Sequence, residues 1–121
     1  MQIEKIILDN NLKVTDARVN ILEIFTSTNK PISYDDIKHD LKMDKATFYR
    51  NMSKFEEESI ISAFESNDKK RYFEIKKNPH SHFICNKCNE IECIYAFCDM
   101  KLKDYVIEDI ILKGICKNCN K

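Results

Sequence analysis

The chain has 121 residues, 43% of them apolar, with 20 basic and 20 acidic side chains and a formal net charge of zero. That size holds one ordinary domain or two small ones, and the charge balance excludes a basic or acidic tail as the basis of partner binding. With no secretory leader and no apolar run near the roughly 20 residues that span a bilayer, the six cysteines point to a reducing, cytoplasmic setting and to metal thiolates.

The balance persists when the chain is divided, since residues 1–78 carry 14 basic and 14 acidic side chains and residues 79–121 carry six of each. Any nucleic-acid reading therefore rests on motif and local charge placement. Ile3, Ile6 and Ile7 share one helical face, and Asn10-Asn11 breaks it. Thr15 is suited to cap a second helix that buries Ile21, Leu22 and Phe25, and Ser27 to Pro31 ends it. Ser33 caps a third helix, with Asp35 and Asp36 in its first turn and Tyr34, Ile37 and Leu41 spaced for burial. Asp44 caps a fourth, in which Phe48, Met52 and Phe55 recur at i, i+4, i+7 and face the core. Ala46, Arg50 and Ser53 then occupy the opposite face, with Thr47 and Tyr49 on its flanks.

Residues 60–64 and 71–75 read as strands around the polar, partly basic tip Ser66 to Lys70. Helices followed by a hairpin make a winged helix-turn-helix, which places one helix in the DNA major groove. The boundary falls at Lys76 to Pro79. Short strands are expected at 80–84, 91–95 and 106–112, with a short helix around 99–104. The fold class is α+β, with a winged helix-turn-helix over 1–77 and a small α/β unit over 78–121. The latter is too small to bury an adequate core unaided and needs a metal or a partner chain.

Cys85/Cys88 and Cys116/Cys119 supply the metal ligands: two Cys-x-x-Cys pairs make a tetrahedral sulfur cage for structural zinc. A redox pair is the alternative, but no βαβ pattern accompanies it. His80 and His82 lie two apart, so a strand would point both imidazoles the same way.

These residues together resemble the ferric uptake regulator family of bacterial metal-dependent regulators. Thr15-x-x-Arg18 before an Ile-Leu pair is similar to the family's second-helix signature, and Ala46 to Met52 to its recognition helix. His80-x-His82-Phe83-Ile84-Cys85-x-x-Cys88 resembles its metal hinge and first knuckle, and Gly114-x-Cys116-x-x-Cys119 its closing knuckle. The resemblance implies a homodimeric repressor without enzymatic activity that binds an AT-rich inverted repeat. It places Tyr49 and Arg50 at the DNA, with Ala46, Thr47 and Ser53 beside them and Arg18, Lys13, Lys69 and Lys70 as phosphate contacts.

The resemblance also implies a regulatory metal at Glu74, His80, His82 and Cys93, where Cys93 stands at a position usually held by Asp or Glu. The sulfur softens the set and favours zinc over iron(II) or manganese(II). Relative to the family, the loop before the third helix lacks a histidine, Ser81 replaces an acidic residue, and the stretch between Cys88 and Cys116 is short. Cys98 has no counterpart; it is an extra ligand, a redox partner of Cys93, or neither. The competing reading is a constitutive or thiol-redox/peroxide-responsive regulator holding only structural zinc. Hydrolase motifs such as H-E-x-x-H are absent around His80.

Overall fold

The computed structural model describes residues 3–76, 81–95, 102–107 and 109–121. The chain divides into two compact units, Met1–Phe64 with Arg71–Lys76, and Glu65–Lys70 with Lys77–Lys121.

In the first unit, α1 spans Ile3–Asp9, α2 Asp16–Thr26, β1 Ile32–Ser33, α3 Tyr34–Ile37 and α4 Lys45–Glu57. Strands β2 (Ile61–Glu65) and β3 (Arg71–Ile75) complete it, in the sheet order β1-β3-β2. Local chemistry sets each boundary. Asn11 adopts the left-handed φ of 61° that a helix exit requires, and Leu12 N–H returns to Ile7 O at 3.1 Å. Thr15 accepts the Arg18 N–H at 3.2 Å and so caps α2. Replacing Thr15 with alanine is expected to lower stability by about 1 kcal/mol. A urea midpoint shift at constant slope would register the loss.

Asp44 caps α4 by accepting the Thr47 N–H at 2.8 Å, which holds its carboxyl below the usual carboxylate range. The far end of α4 closes on Ser59, at φ 60°, with Ile60 N–H bonded to Phe55 O at 2.9 Å. Ile7, Ile21, Leu22, Phe25, Phe48, Met52, Phe55 and Phe73 pack as one core, all at 1% exposure or less. Phe48 lies at its aromatic centre, with ring centroids 5.3 Å from Tyr34, 5.1 Å from Tyr49 and 5.9 Å from Phe73.

The third helix is shorter than its apolar spacing predicts. It stops at Ile37, and Leu41 lies beyond a turn closed by Asp40 N–H to Ile37 O at 2.8 Å. The cause is long-range. Buried Asn20 on α2 accepts the Lys42 N–H at 2.8 Å and donates to Asp40 O at 3.4 Å, satisfying backbone groups that a continuing helix would use itself.

In the second unit, β4 (Ser81–Cys85) lies between β5 (Ile91–Ile94) and β6 (Ile111–Gly114). It pairs antiparallel with β5 and parallel with β6. The strand expected at 106–112 is displaced. The register sets His82 against Ile111 and Cys85 against Gly114, so pairing begins at Ile111. Val106, 91% exposed, and Ile107 lie outside any strand. Of the helix expected around 99–104, residues 99–101 lie outside the described set, and Lys103 and Asp104 form a turn.

Candidate nucleic-acid interface and metal centres

The exposed face of α4, the candidate recognition surface, follows from the burial of its other side. With Phe48, Met52 and Phe55 in the core, Ala46, Arg50 and Ser53 are exposed, and Thr47 is half-buried. Arg50 is the cation at the middle of this face, and its Nη2 lies 3.4 Å from Thr47 Oγ1. The small Ala46 and Ser53 leave room for close approach to base edges.

Tyr49 presents less than the sequence promises. Its ring is half-buried against Tyr34, Phe48 and Phe73, at centroid distances of 5.7, 5.1 and 6.2 Å. Burial, aided by the Asp35 charge, pushes its hydroxyl pKa up, so the phenol stays protonated at neutral pH. A protonated hydroxyl can donate to a phosphate oxygen.

Lys45, which the sequence reading did not select, lies 5.2 Å from the Tyr34 ring centroid and 6.0 Å from that of Tyr49. Its signal was available: it opens the helix directly after the Asp44 cap. Lys69 and Lys70 are exposed at the hairpin tip, where Lys69 has a φ of 68°. Arg18 is half-buried and engaged within the protein, donating from Nε to Asn51 Oδ1 at 3.0 Å and from Nη1 to Lys13 O at 2.8 Å.

The sulfur cage forms where β4 and β6 end side by side. Cys85 closes β4, Cys116 follows β6 by two residues, and each opens a turn that carries the second cysteine of its pair. All four Sγ atoms lie within 4.8 Å of one another. Zinc–sulfur bonds of about 2.3 Å place tetrahedral sulfurs about 3.8 Å apart. Cys88 Sγ and Cys116 Sγ are 3.8 Å apart, so the donor set fits zinc in size as well as chemistry.

The four thiols are unequal. Cys85 Sγ, fully buried, accepts N–H groups of Cys88 at 3.5 Å, Cys116 at 3.4 Å and Lys87 at 3.4 Å. These donors lower its pKa from 9.0 to about 6 and favour the thiolate that a metal requires. Cys119 is pushed up to about 12 by hydrogen bonding with the Cys116 and Cys88 thiols. Its proton must leave when a cation enters.

Of the four residues expected at a regulatory site, His82 and Cys93 come together. They face each other across β4 and β5, and a ring nitrogen of His82 lies within 4.8 Å of Cys93 Sγ. His82 is 4% exposed and Cys93 half-buried. Glu74 belongs to the first unit, on β3, and is 6% exposed. His80 and Cys98 lie outside the described residues.

No described helix is long and apolar enough to cross a membrane. Residues 9–113 match the Ferric uptake regulator family. A ferric uptake regulation protein of Staphylococcus epidermidis is 32% identical over 133 residues, covering 97% of this chain and 94% of its own. The solved ferric uptake regulator of Francisella tularensis, with iron, is 26% identical with a TM-score of 0.68, covering 91% of this chain and 96% of its own. That of Helicobacter pylori, described as having three functional metal-binding sites, has a TM-score of 0.75 at 24% identity, covering 98% of this chain and 89% of its own.

Proposed function

The chain belongs to the ferric uptake regulator family of DNA-binding, metal-responsive transcription regulators, and on that basis we propose that it is a cytoplasmic homodimeric repressor responding to zinc. The observation that carries the DNA half of this reading is the division of α4. One side is locked into the core by Phe48, Met52 and Phe55, which leaves Ala46, Arg50 and Ser53 directed outward. Thr47 and Tyr49 flank that face, and Lys69 and Lys70 contact the backbone from the wing. Each net-neutral protomer binds weakly alone, so two together read the two halves of an AT-rich inverted repeat.

Structural zinc occupies Cys85, Cys88, Cys116 and Cys119. The signal is a second cation held by Glu74, His80, His82 and Cys93. The juxtaposition of His82 and Cys93, one of them almost fully buried, supports this assignment. One thiolate and two imidazoles favour zinc over iron(II) or manganese(II). Metal binding favours one spacing of the two recognition helices in the dimer.

The test is fluorescence-anisotropy binding to an AT-rich inverted-repeat duplex at fixed salt. Reduced protein retaining its structural zinc is titrated with zinc, then with manganese as a redox-stable substitute for iron(II). The expected result is about a tenfold or larger gain in affinity with zinc, a coupling of about 1.4 kcal/mol. The gain should vanish on replacing His82 with alanine. Equal binding with and without added metal would leave a constitutive regulator, or a thiol-responsive one if oxidation of Cys93 changes affinity instead.

A further inference from the structure

Arg18 occupies a position where a positive charge invites assignment as a phosphate contact, yet its bonds lead to other parts of the protein. Its Nε donates to Asn51 Oδ1 at 3.0 Å, and its Nη1 donates to Lys13 O at 2.8 Å. Asn51 in turn donates from Nδ2 to Thr47 O at 3.0 Å, one turn earlier on α4. This fixes the amide orientation, because Arg18 can only donate and Thr47 O can only accept. The Arg18 N–H is itself held by the Thr15 cap. One guanidinium therefore joins the segment before α2, α2 itself and α4.

The core contacts between α2 and α4 decide which side of α4 is buried, but apolar contacts are non-directional and fix its rotation less finely than a hydrogen bond does. Rotation is what the DNA-facing side of α4 cannot tolerate. Asn51 is the neighbour of exposed Arg50, and turning it would swing Arg50 and Ser53 off the outward face. A planar guanidinium bonded to an amide is directional, and a lysine ammonium does not reproduce its fork.

We infer that Arg18 and Asn51 form a brace that sets the rotation of the recognition helix, and that Arg18 is a positioning residue and not a phosphate contact. This rests on the DNA-binding reading above.

The test compares wild type with Arg18→Lys, Arg18→Ala, Asn51→Ala and the double variant Arg18→Ala/Asn51→Ala. Affinity for the AT-rich duplex is measured across a salt series, and each protein is also melted without DNA. A lost phosphate contact lowers the slope of log K against log salt by about 0.9, whereas a lost positioning contact lowers K at unchanged slope. The expected result is about a tenfold loss for each single variant, including Arg18→Lys, with unchanged slope and little further loss in the double variant. Melting should show the same non-additivity, with single shifts of about 5 °C.

Restoration of affinity by Arg18→Lys, or a slope reduced by about one in Arg18→Ala, would overturn the inference and make Arg18 a charge contact. If wild type binds no duplex, the DNA reading fails on its own terms. The melting cycle then decides the brace alone, and additive shifts overturn it.

Discussion

Replacing Cys85 with serine is expected to unfold the second unit while the first remains folded. Among the described residues of that unit, the fully buried apolar side chains are Ile84 and Cys85 itself. Leu102, Tyr105 and Val106 are 55%, 71% and 91% exposed. Three short strands with so thin a core cannot offset their ordering entropy without another source of free energy. A four-thiolate zinc site supplies about 10–16 kcal/mol in small zinc-dependent peptides, and there that energy is folding energy.

Cys85 is also the joint of the cage, because it accepts the Cys116 N–H from the opposite knuckle at 3.4 Å. Its substitution thus removes a ligand and the link between the two turns. Zinc content and residue-level amide exchange are the readouts. Zinc should be lost, β4 and β6 should lose protection, and α2 and α4 should keep theirs. Retained protection in β4 without zinc would show that the strands stand without the cage. Acidification should act in the same direction, because protons compete with the metal for the thiolates of the cage.

The second large effect is expected at Phe48. The ring is fully buried and packs against Tyr34, Tyr49 and Phe73, which belong to α3, α4 and β3. Phe48→Ala leaves a cavity where three elements meet and should cost about 3–5 kcal/mol. That is a large share of the roughly 5–15 kcal/mol that holds a typical domain. Phe48→Leu, which fills most of the volume, should cost well under half as much. Urea denaturation followed by helical circular dichroism measures both. A loss below about 1 kcal/mol for the alanine variant would show that the neighbouring rings collapse into the space.

The features legible in the sequence were those set by neighbours within a few residues. Thr15 and Asp44 announced their helices because a cap needs only an oxygen placed near the N–H three residues on. Phe48, Met52 and Phe55 announced the buried side of α4, and the spacing of the cysteines announced the cage. What escaped was set from afar. Leu41 suggested a longer third helix, but Asn20, about 20 residues earlier, captures Asp40 O and Lys42 N–H and ends it.

The two-residue strand β1 exists because β3 offers Phe73 and Tyr72 as partners, and nothing in Ile32-Ser33 alone declares a strand. The position of β6 was displaced for a similar reason, since its register is dictated by β4 and not by Val106 or Ile107. At the candidate DNA surface, the residue types on α4 were readable and their engagement was not. Tyr49 on α4 has its ring half-buried against other aromatics, and Arg18 on α2 is bonded to a residue 33 positions away.

The parallel pairing of β4 with β6 has a kinetic consequence. Antiparallel β5 follows β4 through a short connection, but β6 must return across the 16 residues between Ile94 and Ile111, and its knuckle must reach Cys85 and Cys88. Closing that loop has an entropic cost before any ladder contact rewards it. A cation first captured by Cys85 and Cys88 offers the distant pair something to find, so zinc lowers a search barrier as well as an end-state energy. On the ribosome the first unit can complete its core while Cys116 and Cys119 are still to be made. With zinc in the cage, the second unit would wait for both, and its maturation rate is expected to follow metal supply.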